Sequence, residues 1–181
     1  MIPVGYMAMT VCRRPEWLKA AHVVDIHSVS GCFGGYFLSD YIPLWKHNGW
    51  WLFDSPKIIR SMAAENAIGL QGMSLFYYEA HEMEFTGEAW RLFSPEPSIP
   101  VNIVQPSQKR LEGFDVVSFS GGSSPECSPL SCNGLAEELP TNSHCLFNSF
   151  SEAETSLSTG KFVKCEPGPY RIFAVYSVDW P

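Results

Sequence analysis

The chain has 181 residues, of which 45% are hydrophobic, 14% aromatic and only 17% charged, with a formal net charge of −7. That is ample apolar material for an ordered core. The acidic balance disfavours nucleic acid and suits a basic protein partner, and no stretch approaches the roughly 18 apolar residues that a membrane helix needs.

Residues 1–22 read as a lead-in with few firm signals. Residues 23–30 alternate and carry β-branched side chains, which predicts a strand. A glycine-containing loop follows, Gly31-Cys32-Phe33-Gly34-Gly35. Ser39 or Asp40 can cap a short helix carrying Tyr41, Ile42, Leu44 and Trp45, which Asn48-Gly49 would stop. Residues 50–53 read as a short buried strand. Ser55 is placed to cap a helix whose first position is Pro56, where a missing N–H costs nothing. Ile58, Ile59, Met62 and Ala63 give it one apolar stripe. Residues 74–85 form a long strand. Residues 94–112, with Pro95, Pro97, Pro100 and Pro106, read as a linker.

The second half repeats these signals. Residues 114–120 predict a strand, residues 134–139 a short helix halted by Pro140, and residues 144–147 a short strand. Ser149 with Glu152 makes a capping box, and Gly160 closes the helix. Residues 170–178 form the last strand.

Two sequence matches suggest an internal duplication. Leu52-Phe53-Asp54-Ser55 recurs 94 residues on as Leu146-Phe147-Asn148-Ser149, and the same offset lays Ala80 on Ala174. At an offset of 90, the run from Asp25 to Gly31 falls on the run from Asp115 to Gly121. The expected fold is therefore α+β: two tandem β-α-β-α-β repeats, 23–93 and 113–181, forming one compact, pseudo-symmetric mixed-sheet domain.

Six cysteines stand at positions 12, 32, 127, 132, 145 and 165. The start, Met1-Ile2-Pro3-Val4-Gly5, lacks a basic region and a sustained apolar run, so no secretory signal is expected. Reduced thiols in a cytoplasmic protein are the expectation.

Three groups of residues could carry chemistry. The segment between Ser120 and Gly134 is about four residues longer than its counterpart in the first half, and holds Cys127 and Cys132. Either could be a nucleophile near a helix start with His144 as base, or both could join a third ligand on a metal. Ser123, Ser124, Glu126 and Asn133 would line the same loop as binding residues. In the first half, Asp25 and His27 alternate on one strand, and Glu79 and His81 on another. Were those strands neighbours, the four could hold iron, manganese or zinc, or form an acid–base pocket.

The leading functional expectation is a small binding or interaction module, regulatory or toxin-neutralising in type, without a cofactor. The alternatives are a cysteine-dependent hydrolase or transferase, or a His/carboxylate metal enzyme.

Overall fold

Residues 74–85 carry the apolar run Leu75-Phe76-Tyr77-Tyr78, and they form the longest strand of the fold. In the computed structural model, which describes residues 1–37, 48–119 and 124–181, the first elements are β1 (Ile2–Met9), β2 (Cys12–Arg13), β3 (Asp25–Ile26), α1 (Pro56–Glu65) and β4 (Ser74–Phe85). β5 (Trp90–Leu92), β6 (Arg110–Ser118), α2 (Pro129–Cys132), α3 (Phe150–Ser158) and β7 (Tyr170–Val178) follow, with a 3-10 turn at Leu135–Glu137. The main sheet runs β1-β4-β7-β6, with β5 added beside β4, and its pairings are antiparallel. β2 and β3 make a separate short ladder. The fold is α+β, with few helices.

Leu75, Phe76, Tyr77 and Tyr78 are all buried. Successive strand side chains point to opposite faces, so both faces of the sheet are covered at β4. α1 packs on β1 and buries Ile59 and Ala63 in one core cluster with Phe53 and Phe76. α3 packs on β6 and β7 and buries Ala153 and Leu157 in a second cluster with Val116 and Ile172. Among the described residues no helix is long and apolar enough to cross a membrane.

Two turns are built alike. Asn48 Nδ2 donates to Val4 O at 2.8 Å, and Asn48 Oδ1 accepts from Trp50 N at 3.1 Å. Asn142 Nδ2 donates to Glu112 O at 2.6 Å, and Asn142 Oδ1 accepts from His144 N at 2.8 Å. Trp51 and Cys145 then take φ values of 59° and 60°, a left-handed conformation uncommon outside glycine. Phe53 exchanges both backbone bonds with Tyr6, at 2.7 and 2.9 Å, and Phe147 does the same with Phe114, at 2.9 Å each. Each turn presses on a glycine in a bulged strand. A Cβ on Gly5 would lie 2.6 Å from Phe53 O, and one on Gly113 would lie 2.7 Å from Leu146 Cβ.

These turns correct several expectations. Residues 50–53 and 144–147 are not strands; each contributes a single bridging residue, Phe53 or Phe147. Residues 23–30 supply only the two-residue β3. The place that β6 holds beside Phe147 is held beside Phe53 by β1, not by residues 25–31. β1 lies inside the expected lead-in, and β6 begins inside the expected linker. The β-α-β-α-β order is not found in either half among the described residues. The expected helix after Ser39 lies outside the described residues. Residues 134–139 form only the 3-10 turn, preceded by α2.

The two serine caps also differ. Ser149 Oγ accepts from Glu152 N at 3.2 Å, and Glu152 Oε2 accepts from Ser149 N at 3.1 Å, a complete capping box. Ser55 has the extended cap conformation, but its side chain makes no cap bond. Replacing Ser149 by Ala should therefore cost about 1 kcal/mol in a denaturant melt, and Ser55→Ala only a few tenths. Equal losses for the two variants would contradict this asymmetry.

Candidate functional site

β6 places a carboxylate inside an apolar run, Phe114-Asp115-Val116-Val117, and Asp115 is fully buried. It is satisfied from two loops at once. Ser28 Oγ donates to Oδ2 at 2.5 Å and Val29 N at 3.2 Å, while Ser128 Oγ donates to Oδ1 at 2.6 Å. The loop after β3 and the loop before α2 are thus tied to one point on the sheet. Ser30 extends the tie, donating through Oγ to Glu126 O at 3.0 Å.

That tie brings Cys32 to Cys127 and Cys132, with the three Sγ atoms all within 4.8 Å of one another. Cys127 is buried, Cys132 half-buried and Cys32 exposed. Cys32 Sγ also lies 2.7 Å from Glu126 O. The thiols of Cys127 and Cys132 donate towards Cys32, and this holds its thiol far below the ordinary value. Cys127 is pushed far up by its bonds to Cys132 and Cys32. Cys132 is pushed up to about 12: its bond with Cys127 acts downward, but donation to Cys32 and burial outweigh it. The close Glu126 carbonyl favours a protonated Cys32, and the two thiol donors favour a thiolate. These pulls oppose each other.

Cys132 is the last residue of α2, and Cys127 precedes that helix. Of the two, only Cys127 stands near the start of that helix, directly before its N-cap Ser128. The remaining loop residues are spread out. Glu126 turns its carbonyl towards Ser30 and Cys32. Ser124 is half-buried, Asn133 is exposed, and Ser123 lies outside the described residues.

His144 belongs to a different group. His144 Nδ1 lies 2.6 Å from Asp25 Oδ1, and His27 Nε2 lies 3.4 Å from the same oxygen. The His27 and His144 rings stack, with centroids 4.2 Å apart. Glu112 Oε2 approaches His144 Nε2 at 3.6 Å. Burial, helped by neighbouring His144, lowers the pKa of His27. Burial acts to raise Glu112, but bonds from Ser177 and Arg110 overcome it and hold the carboxyl below its ordinary value.

The expected partners of Asp25 and His27 are elsewhere. β3 pairs with β2 and not with β4. His27 packs on Phe76, and Glu79 points to the opposite face of β4, where it meets Lys109 and Tyr176. His81 lies against Trp90 and Phe150. Sequence reasoning placed Asp25 with His27 and missed that the turn at Asn142 brings His144 beside them. It also missed Cys32, although the glycines around that cysteine marked a loop. Comparison with protein-family models, curated proteins and solved structures returned no match.

Burial raises Asp115 to about 6, against its hydrogen-bond donors. A carboxyl raised on folding stabilises the fold below its unfolded value of about 3.9, and that contribution is lost as pH rises through about 6. Wild-type stability relative to Asp115→Asn should fall across this window by up to roughly 1.4 kcal/mol per pH unit. Parallel stability profiles for the two proteins in paired denaturant melts would rule this out.

Proposed function

We propose that the protein is a binding module built around a thiolate metal site, with Cys32, Cys127 and Cys132 as ligands of a d10 cation such as Zn2+. The carrying observation is the convergence of three Sγ atoms within 4.8 Å of one another from two loops. Zinc binds thiolate sulfur at about 2.3 Å, so tetrahedral sulfurs stand about 3.8 Å apart. A small contraction of this cluster reaches that spacing. A cation would also replace the opposed protons between the three sulfurs, because each ligand must be deprotonated to bind.

Structural zinc sites are closed by four protein ligands, and sites that act on an exogenous group keep one position open. Three ligands with Cys32 at the surface support the open kind. The six cysteines are unpaired, which suits a reducing compartment such as the cytoplasm. The acidic surplus remains an argument for a basic partner at the loops that the cation closes.

The duplication belongs to the same reading in altered form. The matched asparagine turns support two copies of one unit, strand, turn, helix and strand, with β1 as the counterpart of β6.

Zinc content by mass spectrometry, with competition against a chromogenic chelator, tests the site. The first equivalent of Zn2+ should bind at the cysteines. Cys32→Ser, Cys127→Ser and Cys132→Ser should each weaken it by at least tenfold, and Cys165→Ser should leave it unchanged. Zinc far below one equivalent, or affinity indifferent to the three variants, would overturn the reading.

A further inference from the structure

We propose that Asp25, His27 and His144 form a second cation site, chemically distinct from the cysteines and specific for a first-row divalent transition metal. One ligand atom from each residue lies within 4.8 Å of the other two. The available atoms are His144 Nδ1, His27 Nε2 and Asp25 Oδ1. Two imidazoles and one carboxylate on one side of a cation, with the other positions left to water or substrate, is the donor set of mononuclear Fe2+ sites, and it also suits Mn2+, Co2+ and Zn2+.

The surroundings support coordination. The side chains of His144 and Asp25 are 29% and 25% exposed, so the cation could enter and keep open positions. Glu112 is only 5% exposed and stands on the far nitrogen of His144. With a cation on Nδ1, the His144 proton sits on Nε2 and points at this carboxylate, the outer partner that metal-bound histidines commonly have. Glu112 is itself fixed by Arg110 and Ser177, so its position does not depend on the cation.

The scaffold holds the same geometry. Asn142 bonds both Glu112 O and His144 N, which locks the turn carrying the ligand to the strand carrying its outer partner. His27 is braced by Phe76 at one ring edge, with a centroid distance of 5.0 Å. Its Nδ1 is buried without a partner, so a cation on Nε2 would leave the His27 proton unpaired. This makes His27 the weakest of the three ligands and His144 with Asp25 the decisive pair.

The inference is independent of the cysteine reading, because no residue is shared. Co2+ added to protein loaded with a single equivalent of Zn2+ is the probe. The soft thiolates take that Zn2+ and Co2+ does not displace it there, so the His and Asp ligands stay free for Co2+, and cobalt on thiolate would declare itself by a near-ultraviolet charge-transfer band. One equivalent of Co2+ should bind without that band and should shift the ring protons of His27 and His144 far more than those of His22 or His81. Asp25→Asn and His144→Gln should each remove most of the affinity, and Glu112→Gln should weaken it roughly 10–100-fold. The ring shifts are read on the unaltered protein, so they decide the matter even where a variant fails to fold. Unmoved His27 and His144 signals at millimolar Co2+, or a thiolate band as the sole response, would overturn the proposal.

Discussion

The buried carboxylate of Asp115 is the constraint on which the working end of the molecule depends. A carboxylate without donors cannot be left in an apolar strand, because burying an unpaired charge costs several kcal/mol. Here the donors come from Ser28, Val29 and Ser128, on two loops far apart in sequence. Satisfying Asp115 therefore forces those loops together, and the cysteines they carry follow. Among the described residues these loops carry only α2 and isolated bridges at Tyr36 and Cys127, so the buried bonds supply much of what a helix or strand would otherwise give.

The Asn142 turn plays the corresponding part at the other end of β6. Asn142 holds a left-handed turn against a bulged strand, and Gly113 is needed because any side chain there would meet Leu146. The strain of a left-handed Cys145 persists because the surrounding bonds fix it. One consequence is chemical. The turn that begins as structural bonding ends by placing His144 between Asp25 and Glu112. The matching turn at Asn48 is built with the same bonds but presents Trp50 instead, which packs against Phe93 and Phe173. The same backbone device thus serves packing in one place and chemistry in the other.

The sequence carried local signals faithfully and long-range ones poorly. β4 and β7 were legible to the residue, because aromatic and β-branched runs bounded by loop residues leave little choice. The capping box at Ser149 was legible for the same reason. β1 was not, since Pro3 and Gly5 inside it argue against a strand; both are tolerated because β1 lies at the sheet edge and bulges there. The histidine and cysteine sites were half legible. Asp25 with His27, and Cys127 with Cys132, are short-range pairs, but their third members arrive through tertiary contacts that no spacing rule encodes. The recurring motif is plain in the residues and misleading in its first strand, because Asp25 pairs with β2 whereas Asp115 pairs with β7.

The account stands or falls on whether the converging sulfurs hold an ion. A crystal structure of zinc-supplemented protein, with anomalous data collected on either side of the zinc absorption edge, measures this directly. The account predicts an anomalous peak about 2.3 Å from the Sγ atoms of Cys32, Cys127 and Cys132. A disulfide joining any two of them, or three sulfurs with no peak between them, would contradict it.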